Sequence, residues 1–171
     1  MCIDLIIEDD RWSATALDRL APRAARATLT HLGLDPDAYE VSLLACDDAR
    51  IATLNADFRD KPQPTNVLSW PATDLAAPED GDSPARPDSE AHDPEAGFLG
   101  DIAIAYDTCM REVAEQDKSP DDHVTHLVIH AILHCLGYDH QRDRDATLME
   151  RLEVEILGKL GLPDPYRDSS G

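Results

Sequence analysis

The chain has 171 residues, 42% of them hydrophobic, enough for one domain with a buried core. Its 35 acidic residues outnumber 15 basic ones for a formal charge of −20, which excludes a generally basic surface for non-specific nucleic-acid binding. No apolar run reaches the ~18 residues of a membrane-spanning helix. The first residues carry neither a basic region nor a cleavage site, so a cytoplasmic protein is expected. The cysteines Cys2, Cys46, Cys109 and Cys135 are scattered without a C-x-x-C pair and are expected to be reduced and mostly buried.

Residues 3–8 alternate as a strand. Ser13 is expected to cap a helix running to about Leu32, with Gly33 as its stop and Pro22 kinking or splitting it. Tyr39 to Ala45 reads as a second strand, with Val41, Leu43 and Ala45 on one face. A helix follows from Asp47 or Asp48 to about Phe58, then a strand Asn66–Trp70 stopped by Pro71. Residues 72–96 are rich in Pro, Asp, Glu, Ala, Ser and Gly and lack apolar periodicity; they read as an acidic, solvated, mobile insertion in a domain spanning 1–171. His92 within it reads as an exposed surface histidine. Phe98 to Tyr106 is a fourth strand, and Asp107 or Thr108 caps a short helix to about Gln116. Ser119-Pro120-Asp121-Asp122 combines a cap, a first-turn proline and two acids at the positive end of the dipole, a strong helix start. Asp143 opens a last helix with Leu148, Leu152, Ile156 and Leu160 on one face. The expected class is α+β: one domain with a small mixed four-stranded sheet, about five helices and a zincin-like metal helix.

The chemistry concentrates at His130-Ala131-Ile132-Leu133-His134-Cys135-Leu136-Gly137-Tyr138-Asp139-His140. A helix places His130 and His134 on one face, one turn apart. Gly137 can end that helix in the left-handed conformation and return the chain, so that His140 supplies a third nitrogen. Three histidines with an open fourth position are the ligand set of a catalytic zinc, one per chain, with a water of lowered pKa in the open position. Nickel or copper would suit three imidazoles as well. Cys135, beside His134 but on another side of the helix, is expected to pack.

With these histidines placed, the chain resembles the YbeY family of bacterial rRNA-maturation endoribonucleases. The resemblance rests on His130, His134 and the Gly137-Tyr138-Asp139-His140 ending. It extends to Leu54-Asn55-Ala56-Asp57-Phe58-Arg59, Pro64-Thr65-Asn66-Val67-Leu68-Ser69-Trp70-Pro71 and Leu99-Gly100-Asp101-Ile102-Ala103-Ile104. Ala131 stands where glycine is usual in the family, Cys135 where leucine is usual, and Pro62 where an aspartate commonly follows Lys61. The resemblance implies a metal-dependent, single-strand-specific endoribonuclease acting in 16S rRNA 3′-end maturation and late small-subunit assembly or quality control. It implies RNA as partner, together with a small-subunit ribosomal protein and an assembly GTPase, and no membrane.

Arg59 is the expected catalytic or RNA-contacting cation, because guanidinium holds phosphate through two parallel hydrogen bonds and keeps its proton; a surface ion pair is the alternative. Lys61 is a weaker phosphate partner, and Arg142 and Arg144 are expected near the third ligand, so that a local positive cleft forms on an acidic chain. Asp101 and Asp139 could each orient a ligand histidine or cap a turn. His126, one turn before His130, lies on the ligand face and either touches substrate or water or is idle; His123 and His31 are expected at the surface. Trp70 could stack on a base or belong to the core. Two rival functions remain at this stage. One is a metzincin-like metalloprotease, although Ala131 stands where that class has its glutamate base. The other is a non-catalytic, metal-stabilised assembly factor.

Overall fold

The computed structural model describes residues 3–59, 63–72, 75–82, 84, 97–139 and 141–166, with residues 58 and 59 described by their backbone alone. Cys2, Lys61, Pro62, His92 and His140 lie outside the described residues.

Four strands, β1 (Ile3–Ile7), β2 (Glu40–Cys46), β3 (Val67–Pro71) and β4 (Phe98–Ala105), form one sheet in the order β1-β2-β4-β3. β1, β2 and β4 run parallel, and β3 pairs antiparallel with β4 at the edge. The two-residue alternation sends Leu43, Ala45, Ile102 and Ile104 to one face and Cys46, Ala103 and Ala105 to the other. The first face carries the main core under α1 (Leu17–His31), α4 (Pro120–Cys135) and α5 (Asp143–Lys159). The second carries a smaller cluster in which Ile51 of α2 (Asp48–Arg59) meets Leu68, with Trp70 packed against it. The sheet therefore carries helices on both faces, in an α+β domain whose strands run in mixed directions.

Three local features depart from expectation. The chain after β1 first makes a 3₁₀ turn, Asp10–Ala14, capped by Asp9, and α1 begins only at Leu17 rather than at a Ser13 cap. The cause is Trp12, which is fully buried, donates from Nε1 to the Cys46 carbonyl at 2.9 Å and lies edge-on to Tyr106. Pro22 leaves α1 unbroken. The hydrogen bond it forfeits is to the carbonyl of Asp18, an exposed residue of the first turn. β4 runs directly into α3 (Tyr106–Gln116), whose first turn is capped by another helix: Asp48 Oδ1 accepts from Thr108 N at 2.9 Å. In return, Asp107 Oδ2 accepts from Asp48 N at 3.1 Å.

α4 sits centrally, packed against α1, α3, α5, β3 and β4. Gly100 is what lets it come so close. A Cβ there would lie 2.4 Å from the Trp70 carbonyl oxygen and 2.9 Å from Cys135 Sγ, so only glycine fits between β3 and α4.

Candidate metal centre

From Val124 to Leu136, α4 and its cap are buried at every position except His126, His130 and His134, which are half-buried. Their four-residue spacing makes a single stripe. Ser119 caps the helix N-terminus with Pro120 in the first turn, as the sequence predicts. At the other end, Gly137 adopts φ +101°, and Tyr138 N returns to the Leu133 carbonyl at 3.0 Å. The chain thus turns back over the histidine stripe at Gly137. The third expected ligand, His140, lies outside the described residues.

The Nε2 atoms of His130 and His134 are 3.1 Å apart, with ring centroids 4.6 Å apart and planes at 80°. His130 Nδ1 points the other way, 2.6 Å from Oε1 of Glu153 on α5. A carboxylate is an acceptor only, so Nδ1 carries the hydrogen and Nε2 presents its lone pair toward His134. Two nitrogens sharing a tetrahedral zinc at bond lengths of ~2.0–2.1 Å would stand roughly 3.3–3.4 Å apart, so the observed pair fits one metal with little adjustment. The carboxylate behind a ligand imidazole is the usual partner arrangement of such sites.

Glu153 is fully buried. It also accepts from His126 Nε2 at 2.7 Å and from the Tyr166 hydroxyl. Burial alone would raise its pKa, but the hydrogen bonds from His126 and His130 outweigh that effect and hold it at about 2. His126, His130 and Glu153 each place a donor atom within 4.8 Å of the others, a group that could itself hold a metal ion.

The stripe opens on a cleft of about 570 Å³ walled by His130 and His134, Asn55 of α2, Val67 to Ser69 of β3, Leu75 and Tyr138. Asn55 Nδ2 donates to the Gln63 carbonyl at 3.0 Å. Arg59 is the last residue of α2, one turn after Asn55, and its side chain is outside the described set. The Arg142 guanidinium donates to the carbonyls of Ala77 at 2.7 Å and Pro78 at 2.9 Å and pairs with Asp145 at 2.5 Å. Arg144 is exposed, its backbone N–H bonded to Asp80. Asp101 is exposed on β4 and bonds no histidine among the described residues, whereas Glu153 lies 2.6 Å from His130 Nδ1. His126 is neither idle nor in the cleft lining, since it props the same carboxylate. His123 is buried against Glu112, at 2.9 Å, rather than at the surface.

Sequence reasoning missed Glu153 and Tyr166. A signal existed for the first. In α5, Met149, Leu152, Glu153, Ile156 and Leu157 are buried together, so a carboxylate interrupts an apolar stripe. Tyr166 follows the helix and has no such periodicity to mark it.

Comparison with known proteins agrees with this geometry. The sequence model of the family described as Endoribonuclease YbeY matches residues 5–161. The chain is 58% identical over 166 residues to Endoribonuclease YbeY of Ruegeria sp. (strain TM1040), covering 97% of this chain and 96% of that one. It is 60% identical to Endoribonuclease YbeY of Ruegeria pomeroyi, covering 97% and 98%. The solution structure of TM1509 from Thermotoga maritima superposes with a TM-score of 0.54 over 97% of this chain and 99% of that one, at 19% identity, which establishes a shared fold. On the match along nearly its whole length, the chain belongs to the YbeY endoribonuclease family.

Proposed function

We propose that this chain is a zinc-dependent, single-strand-specific endoribonuclease of the cytoplasm that acts in 16S rRNA 3′-end maturation and late small-subunit assembly or quality control. The observation that carries the reading is the convergence of the His130 and His134 Nε2 atoms, 3.1 Å apart, on one cleft in a chain of this family. His130, His134 and His140 would hold one metal ion. When bound, such an ion supplies a Lewis acid for a phosphate oxygen and a water of lowered pKa.

The chain's own residues do the rest. Arg59 binds the phosphate through its guanidinium fork and offsets the charge that develops on it. Lys61 adds a second, weaker cation. The cleft wall formed by β3 and Asn55 bounds the strand that enters. Precursor rRNA on the small subunit is the proposed partner, with a small-subunit ribosomal protein and an assembly GTPase as neighbours. No helix among the described residues is long and apolar enough to cross a membrane. A metalloprotease is disfavoured, because Ala131 is a buried methyl beside the first ligand and both oxygens of the inaccessible Glu153 are already occupied.

The test uses protein prepared without an affinity histidine tract. Cleavage of single-stranded RNA and of small-subunit precursor rRNA is compared for wild type, His134→Ala and Arg59→Glu, with bound metal measured by elemental analysis. Expected are cleavage by wild type only, and about one metal per chain lost in His134→Ala but kept in Arg59→Glu. Equal cleavage by all three would point to a contaminating nuclease and favour the metal-stabilised assembly factor. Unchanged metal content in His134→Ala would remove the three-histidine site.

A further inference from the structure

We propose that Glu153 is a positioning residue for the metal centre and that Tyr166, folding back from beyond α5, completes its hydrogen-bond set. The inference rests on the metal-binding reading above.

A fully buried carboxylate is costly unless its oxygens are satisfied and its charge has a use. Among the described residues, Glu153 has three hydrogen-bond donors: His130 Nδ1 on Oε1, and His126 Nε2 and the Tyr166 hydroxyl on Oε2. Its neighbours along α5, Met149, Leu152, Ile156 and Leu157, are apolar, so packing alone would be served better by leucine. What the carboxylate adds is orientation. It fixes His130 with hydrogen on Nδ1, which turns the Nε2 lone pair to His134. It also fixes His126 with hydrogen on Nε2, leaving Nδ1, which is buried and has no hydrogen-bond partner among the described residues.

That second consequence decides between two uses of the same three side chains. The separations of 2.6 and 2.7 Å from Glu153 to the imidazoles are hydrogen-bond lengths. Two ligand atoms on a common metal with bonds of ~2.0–2.1 Å stand about 3 Å apart or more. As it stands, the cluster is a hydrogen-bonded hub behind the His130–His134 pair, and a cation among its three groups would have to push them apart. The hub leaves one carboxylate an imidazole's width behind the ligand nitrogens.

Tyr166 is placed by its own short segment. Leu162 N bonds to the Leu157 carbonyl at 2.9 Å, closing α5. The carboxylate of Asp164 accepts from Tyr166 N at 2.8 Å and turns the chain inward. The ring then lies edge-on to His126, with centroids 5.6 Å apart. It is 47% exposed, yet its hydroxyl reaches the buried carboxylate, so the ring stands between solvent and Glu153.

The test measures zinc affinity of the apo-protein by competition with a chromophoric chelator, together with the d–d spectrum of the cobalt(II)-substituted protein. Variants are Glu153→Gln, Tyr166→Phe, His126→Phe and His134→Ala. Glu153→Gln is expected to weaken zinc roughly tenfold to a hundredfold while keeping a four-coordinate cobalt spectrum. Tyr166→Phe should weaken it severalfold with the apo-protein melting as wild type. It removes a single oxygen from a half-exposed ring, so it keeps the proposal testable should Glu153→Gln not fold. His126→Phe should retain the metal. Wild-type affinity in folded Glu153→Gln and in Tyr166→Phe, with His134→Ala defective, would overturn the positioning role alone. Loss of zinc in Glu153→Gln and His126→Phe as complete as in His134→Ala would overturn it in favour of direct ligation. Wild-type affinity in His134→Ala as well would bring down the metal-binding reading beneath it.

Discussion

His123 is a buried imidazole that α4 presents away from the cleft, its Nε2 2.9 Å from Glu112, which also accepts from Asn66 Nδ2 at 3.1 Å. Burial lowers its pKa, against the opposing pull of the Glu112 carboxylate, and Lys118 and His126 push the same way as burial. The unfolded chain therefore takes up this proton before the folded one does. Stability is complete above the unfolded value of about 6.5 and falls as the pH drops through it toward the lower folded value. The melting temperature is expected to decline from pH 7 to pH 5.5, and less steeply in His123→Gln, which keeps a donor for Glu112. Equal slopes in the two proteins would assign that decline to other groups. Sequence alone found His130 and His134 because ligand spacing on a helix is a local property. It placed His123 at the surface and passed over Glu153, because burial and carboxylate partners depend on how α3 and α5 cross α4.

The insertion illustrates the same point for elements. Its residues 75–82 are tied to the start of α5, a helix whose own cap residue, Arg142, makes no side-chain capping bond. Asp80 from the insertion supplies the cap, accepting from Asp145 N at 2.9 Å and Arg144 N at 3.4 Å. Asp145 reciprocates by accepting from Gly81 N at 2.8 Å. Asp80→Ala is expected to cost about 1 kcal/mol in urea unfolding, the usual worth of a helix cap, and to speed proteolysis within 75–82. An unchanged urea midpoint would show the contact to be idle. Strands and helices were legible from alternation and caps written within each segment. This cap was not, since its donor and acceptor lie more than sixty residues apart.

For the whole molecule, net charge and fold act on the same substrate in opposite senses. A chain at −20 repels RNA, so binding must come from few cations. If Arg59 and Lys61 are the phosphate contacts, the slope of log binding constant against log salt for single-stranded RNA is expected near −1.4, about −0.7 per contact. A filter-binding slope steeper than about −4 would reveal a basic surface beyond these two residues. The class of fold could be read from the element order, but the strand order β1-β2-β4-β3 could not, because pairing is decided by which faces the helices cover. The position of Glu153 and Tyr166 late in the sequence has a temporal consequence. All four strands and the helix bearing His130 and His134 are synthesised before them. A nascent chain therefore carries His130 before it owns the carboxylate that, on the proposal above, sets that imidazole's tautomer. On the same proposal, a ribosome-bound chain that stops short of Glu153 would hold the metal weakly, so metal loading would follow the synthesis of α5.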